Sequence, residues 1–251
     1  MSSSPPTRDA EAQAATGEHT TDSDSRRGVD LQQHFAGPMG NCLYVVGDRS
    51  SQQAFLVDPA FEPLELHRKA TGAGYDVVGV ILTHTHQDHV GGELFGMQIP
   101  GVRELLAEHP DLPVHVHEAE ARRLVELTGI AEANVRVLID EQTLRLGELD
   151  IRCIHCPGHS PGGVSFLTEG QLIAGDTLFV QGVGRVDLPG SDPDALFYSL
   201  RRLIELPPET RVFPGHRTGE DASSTIGREI RLNPYLRPKT VEQWRMMMGV
   251  F

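Results

Sequence analysis

Residues 84–89, His-Thr-His-Gln-Asp-His, hold three imidazoles and one carboxylate. His84 and His86 are two apart, so in extended backbone their side chains share a face. Asp88 and His89 follow where the chain must turn, and Gly91-Gly92 permits the turn. Four candidate ligands in six residues exceed what one tetrahedral site takes from one loop. Three further apolar runs end on a metal-capable group. The run ending near His155 gives way to Pro157-Gly158-His159, residues 172–174 give way to Gly175-Asp176, and Phe213 gives way to Pro214-Gly215-His216. Together these make five imidazoles and two carboxylates, enough for two ions sharing a bridging carboxylate. Imidazole with carboxylate suits zinc, iron or manganese. Ions roughly 3.5–4 Å apart would bring the pKa of bound water from 15.7 toward about 7.

The stretch RCIHCPGHSPGG, residues 152–163, offers other chemistries beside a metal-binding His159. Gly158-His159-Ser160-Pro161-Gly162 has the letters of a nucleophile elbow, which needs a strand, a strained turn at the serine, then a helix. Pro161 restricts the backbone of Ser160, and the residues beyond read as strand and turn. Ser160 is therefore expected to shape the loop around His159. Cys153 and Cys156 form a C-x-x-C pair, but a redox couple belongs at a helix N-terminus. A haem site would need histidine where Pro157 stands. Cys153 and His155 should share one strand face, with Ile154 and Cys156 on the other. His115 and His117 are also an i, i+2 pair, but no Asp-His follows, so both are expected as strand residues. His19, His34, His67 and His109 are expected at the surface or in packing.

These groups need a scaffold. Runs at 42–46 and 54–57 predict a hairpin, and 77–82 predicts a buried strand leading straight into the histidine cluster. A helical pattern over 64–70 ends at Gly72 and Gly74. A helix near 101–108, a strand at 113–117 and an acidic helix over 118–128 follow. The second half repeats this grammar, with strands at 135–139, 143–146, 151–155, 163–167, 172–174 and 211–213. Ser191 or Asp192 should cap a helix with Pro193 in its first turn and Leu196, Leu200 and Leu203 on one face. The expectation is an α/β layered domain, two sheets covered by helices, with the four strand ends on one rim.

The 251 residues are 39% hydrophobic and 23% charged, which suits one sizeable domain or two small ones. A net charge of −13 argues against nucleic-acid binding, and no apolar run reaches the length of a membrane span. Residues 1–28 lack the layout of a signal peptide and carry too little apolar surface to fold, so they are expected as a disordered tail. Three cysteines fit a reduced, cytoplasmic protein. The oligomeric state is left open.

T-H-x-H-x-D-H after an apolar strand, then G-H-S-P-G, G-D-T-L-F and F-P-G-H in that order, resemble the metallo-β-lactamase fold superfamily over 29–251. The resemblance implies a four-layer αββα sandwich with metals at one edge of the two sheets. It implies that His84, His86 and His159 bind a first metal, that Asp88, His89 and His216 bind a second, and that Asp176 bridges. Zinc is the first expectation, with iron or manganese as alternatives. LPPETRVFPGH, GDTLFVQGVGR and STIGREIRLNPYLRPKTV resemble glyoxalase II. That implies a thioesterase cleaving acylglutathione-type thioesters with a metal-bound hydroxide, which Asp88 would orient. Arg185 then takes the place of a basic glutathione-contacting residue, and Arg237 and Lys239 lie where others are found. The sequence departs from that pattern at Asp187, where a tyrosine normally stands, and in lacking the long C-terminal helical domain. Gly184-Arg185-Val186-Asp187 resembles instead the ETHE-like persulfide dioxygenases, which would place one iron on His84, His159 and Asp176. Lactones and β-lactams are further substrates in the superfamily. A structural zinc site is closed by four ligands, often thiolates, so seven N and O ligands point to an open catalytic site and a small-molecule substrate.

Overall fold

The computed structural model describes Met1 and residues 28–249. The tail expected over 1–28 otherwise lies outside the described residues. The chain opens with β1 (Val29–Ala36), β2 (Asn41–Asp48) and β3 (Gln53–Val57), then α1 (Pro63–Gly72) and β4 (Asp76–Ile81). A single helical turn, α2 (Gln87–Val90), and a small hairpin, β5 (Gly92–Leu94) with β6 (Met97–Ile99), lead to α3 (Val102–Glu108) and β7 (Val114–His117). A 3-10 turn at Glu118–Glu120 runs into α4 (Ala121–Thr128), and β8 (Val135–Leu138) follows. Then come β9 (Thr143–Leu146), β10 (Leu149–His155), β11 (Val164–Thr168), β12 (Gln171–Gly175) and a second small hairpin, β13 (Leu178–Phe179) with β14 (Gly182–Val183). The described chain closes with α5 (Pro193–Leu203), β15 (Arg211–Pro214), β16 (Ser224–Thr225), α6 (Ile226–Leu232) and α7 (Val241–Met248).

Two six-stranded sheets result, ordered β1-β2-β3-β4-β7-β8 and β16-β15-β12-β11-β10-β9. β2 is buried at every position because both of its faces are covered. Cys42, Tyr44 and Val46 face the other sheet, with Ile151, Cys153, Phe166 and Phe213 across from them. Leu43 and Val45 pack outward with Leu66 of α1, Leu105 of α3 and Leu124 of α4. The second sheet repeats the arrangement, with Ile154, Leu172 and Val212 against Leu196, Leu200 and Trp244. Three apolar layers thus separate four layers of elements, the αββα sandwich. Each fully buried Leu or Phe contributes roughly 1.5–3 kcal/mol.

The expected hairpin, buried strand and capped helix are present. Asp192 is the cap, its carboxylate accepting from the Asp194 and Ala195 N–H groups at 2.9 and 3.0 Å. β8 differs from expectation. It pairs in parallel with β7 in the first sheet, rather than opening the second. A strand–helix–strand crossover through α4 returns the chain beside its own strand, and Val-Arg-Val-Leu carries no mark of which sheet it joins. β1, α6 and α7 were not expected. β1 (VDLQQHFA) is mostly half-buried and polar, and α7 buries Trp244, whose indole N–H donates to the Pro193 carbonyl at 2.6 Å, while Arg245 pairs with Asp194 of α5.

Topology gathers the strand ends. β10 and β12 both run antiparallel to β11, and β15 runs parallel to β12. The C-terminal ends of all three therefore leave the second sheet at one edge. The first sheet joins that edge through the Val164 N–H, which donates to the Thr83 carbonyl just past β4 at 2.8 Å. The Cys42 N–H donates to the Gly215 carbonyl, also at 2.8 Å.

Candidate metal centre

All seven expected ligands meet at this edge, six of them in two clusters and Asp176 between. His84, His86 and His159 offer ligand atoms that lie together, and so do Asp88, His89 and His216. His86 Nδ1 is 3.0 Å from His84 Nε2 and 2.9 Å from His159 Nε2. His89 Nε2 and His216 Nε2 are 3.2 Å apart, and Asp88 Oδ2 lies 3.6 and 3.3 Å from them. Asp176 stands between the clusters, with Oδ2 3.4 Å from both His159 Nε2 and His216 Nε2, and Oδ1 3.5 Å from His89 Nε2. Ligands held tetrahedrally at 2.0–2.1 Å from an ion are about 3.3 Å from one another, which is the scale of these separations.

The outward-facing hydrogen bonds assign the ring protons. Thr83 Oγ1 gives its proton to Asp58 Oδ2 at 2.5 Å, so it accepts from His84 Nδ1 at 3.1 Å. His159 Nδ1 donates to the Arg185 carbonyl at 2.8 Å. His84 and His159 therefore both aim Nε2 lone pairs at His86 Nδ1. One proton there could satisfy only one of them, whereas a cation satisfies all three. In the other cluster His89 Nδ1 donates to Asp58 Oδ2 at 3.0 Å, and His216 Nδ1 to the Met39 carbonyl at 3.1 Å. Asn41 Nδ2 donates to Asp88 Oδ2 at 2.9 Å. Asp176 Oδ1 is buried with no hydrogen-bond partner, a cost the fold would not carry without a cation to meet it. The donor set and its geometry fit two divalent ions.

The clusters differ electrically. Burial, then the facing imidazoles, hold His84 well below its ordinary value, and the same causes take His86 to about 4. Burial opposes charge on His89 and His216 too, but Asp88 and Asp176 outweigh it, raising His89 to about 9 and His216 to about 11. His84 and His86 are thus held as neutral imidazoles, while the second cluster already attracts positive charge.

The three basic residues do not join the seven. Arg185 is exposed and forms a two-pronged pair with Asp187 at 2.6 and 2.7 Å. Arg237 and Lys239 are exposed between Leu236 and α7, and neither forms an ion pair among the described residues. Ser160 Oγ is buried without a partner, so no base stands ready to activate it. Cys153 faces the inter-sheet core and Cys156 the outer one, and burial pushes the two thiols up to about 12 and about 11. A cleft of about 650 Å³, walled by Phe179, Val183, Thr218, Glu220 and Tyr235 among others, adjoins His216, whose ring meets Phe179 edge-on at 5.9 Å.

Sequence reasoning missed Asp58, Thr83, Asn41 and Glu120. Asp58 was legible, since Val57 gives way to it at a strand end beside β4, as Leu82 does to Thr83. Asn41 and Glu120 carried no such signal.

The model of the metallo-beta-lactamase superfamily matches residues 36–216. A hydroxyacylglutathione hydrolase from Haemophilus influenzae is 30% identical over 80% of this chain and 94% of its own length. A protein solved in a di-iron-bound form is 38% identical, with a TM-score of 0.63 over 82% of this chain and 100% of that one. ETHE1 from Myxococcus xanthus is 27% identical, with a TM-score of 0.74 over 88% and 90% of the two chains. Fold, ligand geometry and these likenesses agree: the chain belongs to the metallo-beta-lactamase superfamily, as an enzyme of its metal-dependent hydrolase kind.

Proposed function

We propose that the protein is a thioester hydrolase of the hydroxyacylglutathione-hydrolase kind, using two divalent ions, zinc first. The observation that carries this reading is the pair of clusters joined through Asp176. His84, His86 and His159 would hold one ion, Asp88, His89 and His216 the other, and Asp176 both. Such ions supply a water of lowered pKa and a polarising charge for the carbonyl.

The chain's own residues do the rest. Asp88, fixed by Asn41, has a carboxylate directed into the site to orient the attacking water and take its proton. The cleft beside Phe179, whose ring meets His216, offers the acyl group a place on the side of the second cluster. A new C–O bond replaces the C–S bond; the departing thiolate regains the proton held by Asp88 to become the thiol, and the new carboxylic acid releases its proton to solvent. With a thiol pKa of about 8.5 the leaving group departs as thiolate without a strong acid, and no such acid has to be found in the site. The Haemophilus relative named as a hydroxyacylglutathione hydrolase matches over nearly its whole length, which supports a glutathione conjugate as substrate. Arg185, Arg237 and Lys239 remain the proposed contacts for substrate carboxylates, with Asp187 as the competitor that substrate must displace from Arg185. The free, buried cysteines support a cytoplasmic setting.

A persulfide dioxygenase with one iron on His84, His159 and Asp176 is the second reading, favoured by the Arg185–Asp187 pair within Gly-Arg-Val-Asp. Metal analysis with paired assays separates the two. Two ions per chain with turnover of S-lactoylglutathione is the expected result. One iron with oxygen uptake on glutathione persulfide would overturn it.

A further inference from the structure

We infer that Glu120 is a positioning residue that sets the spacing of the two loops carrying the first cluster, and so governs ion binding there and not at the second. This rests on the reading that the clusters hold ions.

His84 and His86 leave the first sheet after β4, and His159 leaves the second after β10. The three nitrogens must meet to within a few tenths of an ångström, although their loops come from different sheets. Glu120 spans that gap. Its side chain is buried, with 1% of the residue exposed. Oε2 accepts the N–H of Thr85, the residue between the two histidines, at 2.6 Å. Oε1 accepts the N–H of Gly162, three residues past His159, at 3.0 Å. Charge-assisted bonds of this kind are about twice as strong as neutral ones, and here each oxygen takes a different ligand loop.

The staple is backed by a second layer. His117 caps the turn that carries Glu120, accepting from the Ala119 N–H at 3.3 Å, and its ring stacks on His155 at 3.9 Å. His155 Nε2 donates in turn to the Pro161 carbonyl at 3.0 Å. A Cβ at Gly162 would sit 2.9 Å from Glu120 Cγ and 3.2 Å from His117 Cβ, so only glycine lets the loop approach this closely. The second cluster is braced by other groups, Asn41 on Asp88 and the Met39 carbonyl on His216, and none of these touches Glu120. Asp58 braces both clusters at once, through Thr83 and through His89, and so cannot separate them.

Glu120→Gln keeps the shape but turns an NH₂ toward one of the two N–H donors. One of the two bonds is lost, and His159 drifts relative to His84 and His86. The full chain, stripped of metal, is titrated with Co²⁺ and followed by its visible absorption. His86→Ala identifies the phase belonging to the first cluster, and His216→Ala the phase belonging to the second. Glu120→Gln and Gly162→Ala should each weaken the first phase by roughly 10- to 100-fold and leave the second within about twofold. Turnover lost at low Co²⁺ should return at saturating Co²⁺. Gly162→Ala leaves the carboxylate intact, so a folding defect peculiar to Glu120→Gln cannot mimic the pattern. Equal weakening of both phases, or no change in either, would overturn the inference. A single phase in the parent protein would instead count against two ions. The inference then stands if His86→Ala abolishes that phase and Glu120→Gln weakens it, and falls otherwise.

Discussion

Asp48 and Asp176 are both buried aspartates at the ends of core strands, on opposite rims of the sandwich. Asp48 closes β2 on the rim away from the histidines and is fully enclosed. It accepts from the Ser50 N–H at 3.1 Å and hydroxyl at 2.8 Å, the Ser51 N–H at 3.1 Å and the Glu148 N–H at 3.0 Å. Asp176, after β12, has ring nitrogens at 3.4–3.5 Å and one oxygen with no hydrogen bond. Burial pushes both carboxyls up. Fixed donors, the Glu148 N–H first, outweigh it for Asp48, and the charges of His89 and His216 outweigh it for Asp176, so both are held at about 2. The same ionisation is thus kept by two devices. One is complete within the protein, and the other is left for exchangeable positive charge, protons or metal ions. That difference separates a structural carboxylate from a functional one better than burial or pKa does.

Substitution at Asp176 should give the largest effect. Asp176→Ala removes the carboxylate that faces Nε2 atoms of both clusters, and turnover should fall at least about 100-fold together with metal content. Retained activity would remove the bridging role. A strong chelator should abolish turnover in the parent protein, and a divalent ion should restore it, because the sandwich core does not pass through the clusters. Chelation that left turnover intact would break the comparison outright.

Asp48→Asn should do the reverse. Exchanging an acceptor for an NH₂ among four donors should cost about 1–3 kcal/mol, or several degrees in Tm for a chain of this size. Metal content and kcat/KM should stay at parent values. The acid limb tests the cause. A carboxyl held below its unfolded value of about 3.9 stabilises the fold fully above that value, and the contribution is lost as pH falls through the folded value. The stability gap between parent and Asp48→Asn should therefore be constant near pH 6, shrink below about pH 4, and close toward pH 2. A gap independent of pH would show that shape, not charge, is what Asp48 supplies.

The functional aspartate was easier to read from sequence than the structural one. Asp176 stands between an apolar strand and a glycine-shaped loop, and three other strand ends carry the same signature, so their convergence could be inferred from pattern. Asp58 obeys that rule too, since it directly follows the apolar run at 54–57. Glu120 and Asn41 were not legible, because each acts on groups far away in sequence, Asn41 on Asp88 and Glu120 on loops from both sheets. The sandwich was legible in its strongly apolar strands and its capped helix. It was not legible in β1, whose sequence is polar, in β8, whose sheet is chosen by a crossover, or in α7, whose one fully buried side chain is Trp244.

The smallest effect expected is also the sharpest check on what an unpartnered polar atom means. Ser160 Oγ, like Asp176 Oδ1, is buried beside the metal-capable histidines with no hydrogen bond. A neutral hydroxyl without a partner is a local cost, and removing it relieves that cost. A carboxylate in the same condition is an invitation to a cation, and removing it takes away a ligand. Ser160→Ala should accordingly hold or slightly raise thermal stability, by about 0.5–1 kcal/mol at most, and should keep parent activity and metal content. Cys153→Ala should likewise keep activity while losing about 1 kcal/mol to the cavity it leaves in the inter-sheet core. Loss of turnover in Ser160→Ala with both ions still bound would turn G-H-S-P-G back into a nucleophile's loop. Charge would then no longer be what distinguishes the two unpartnered oxygens.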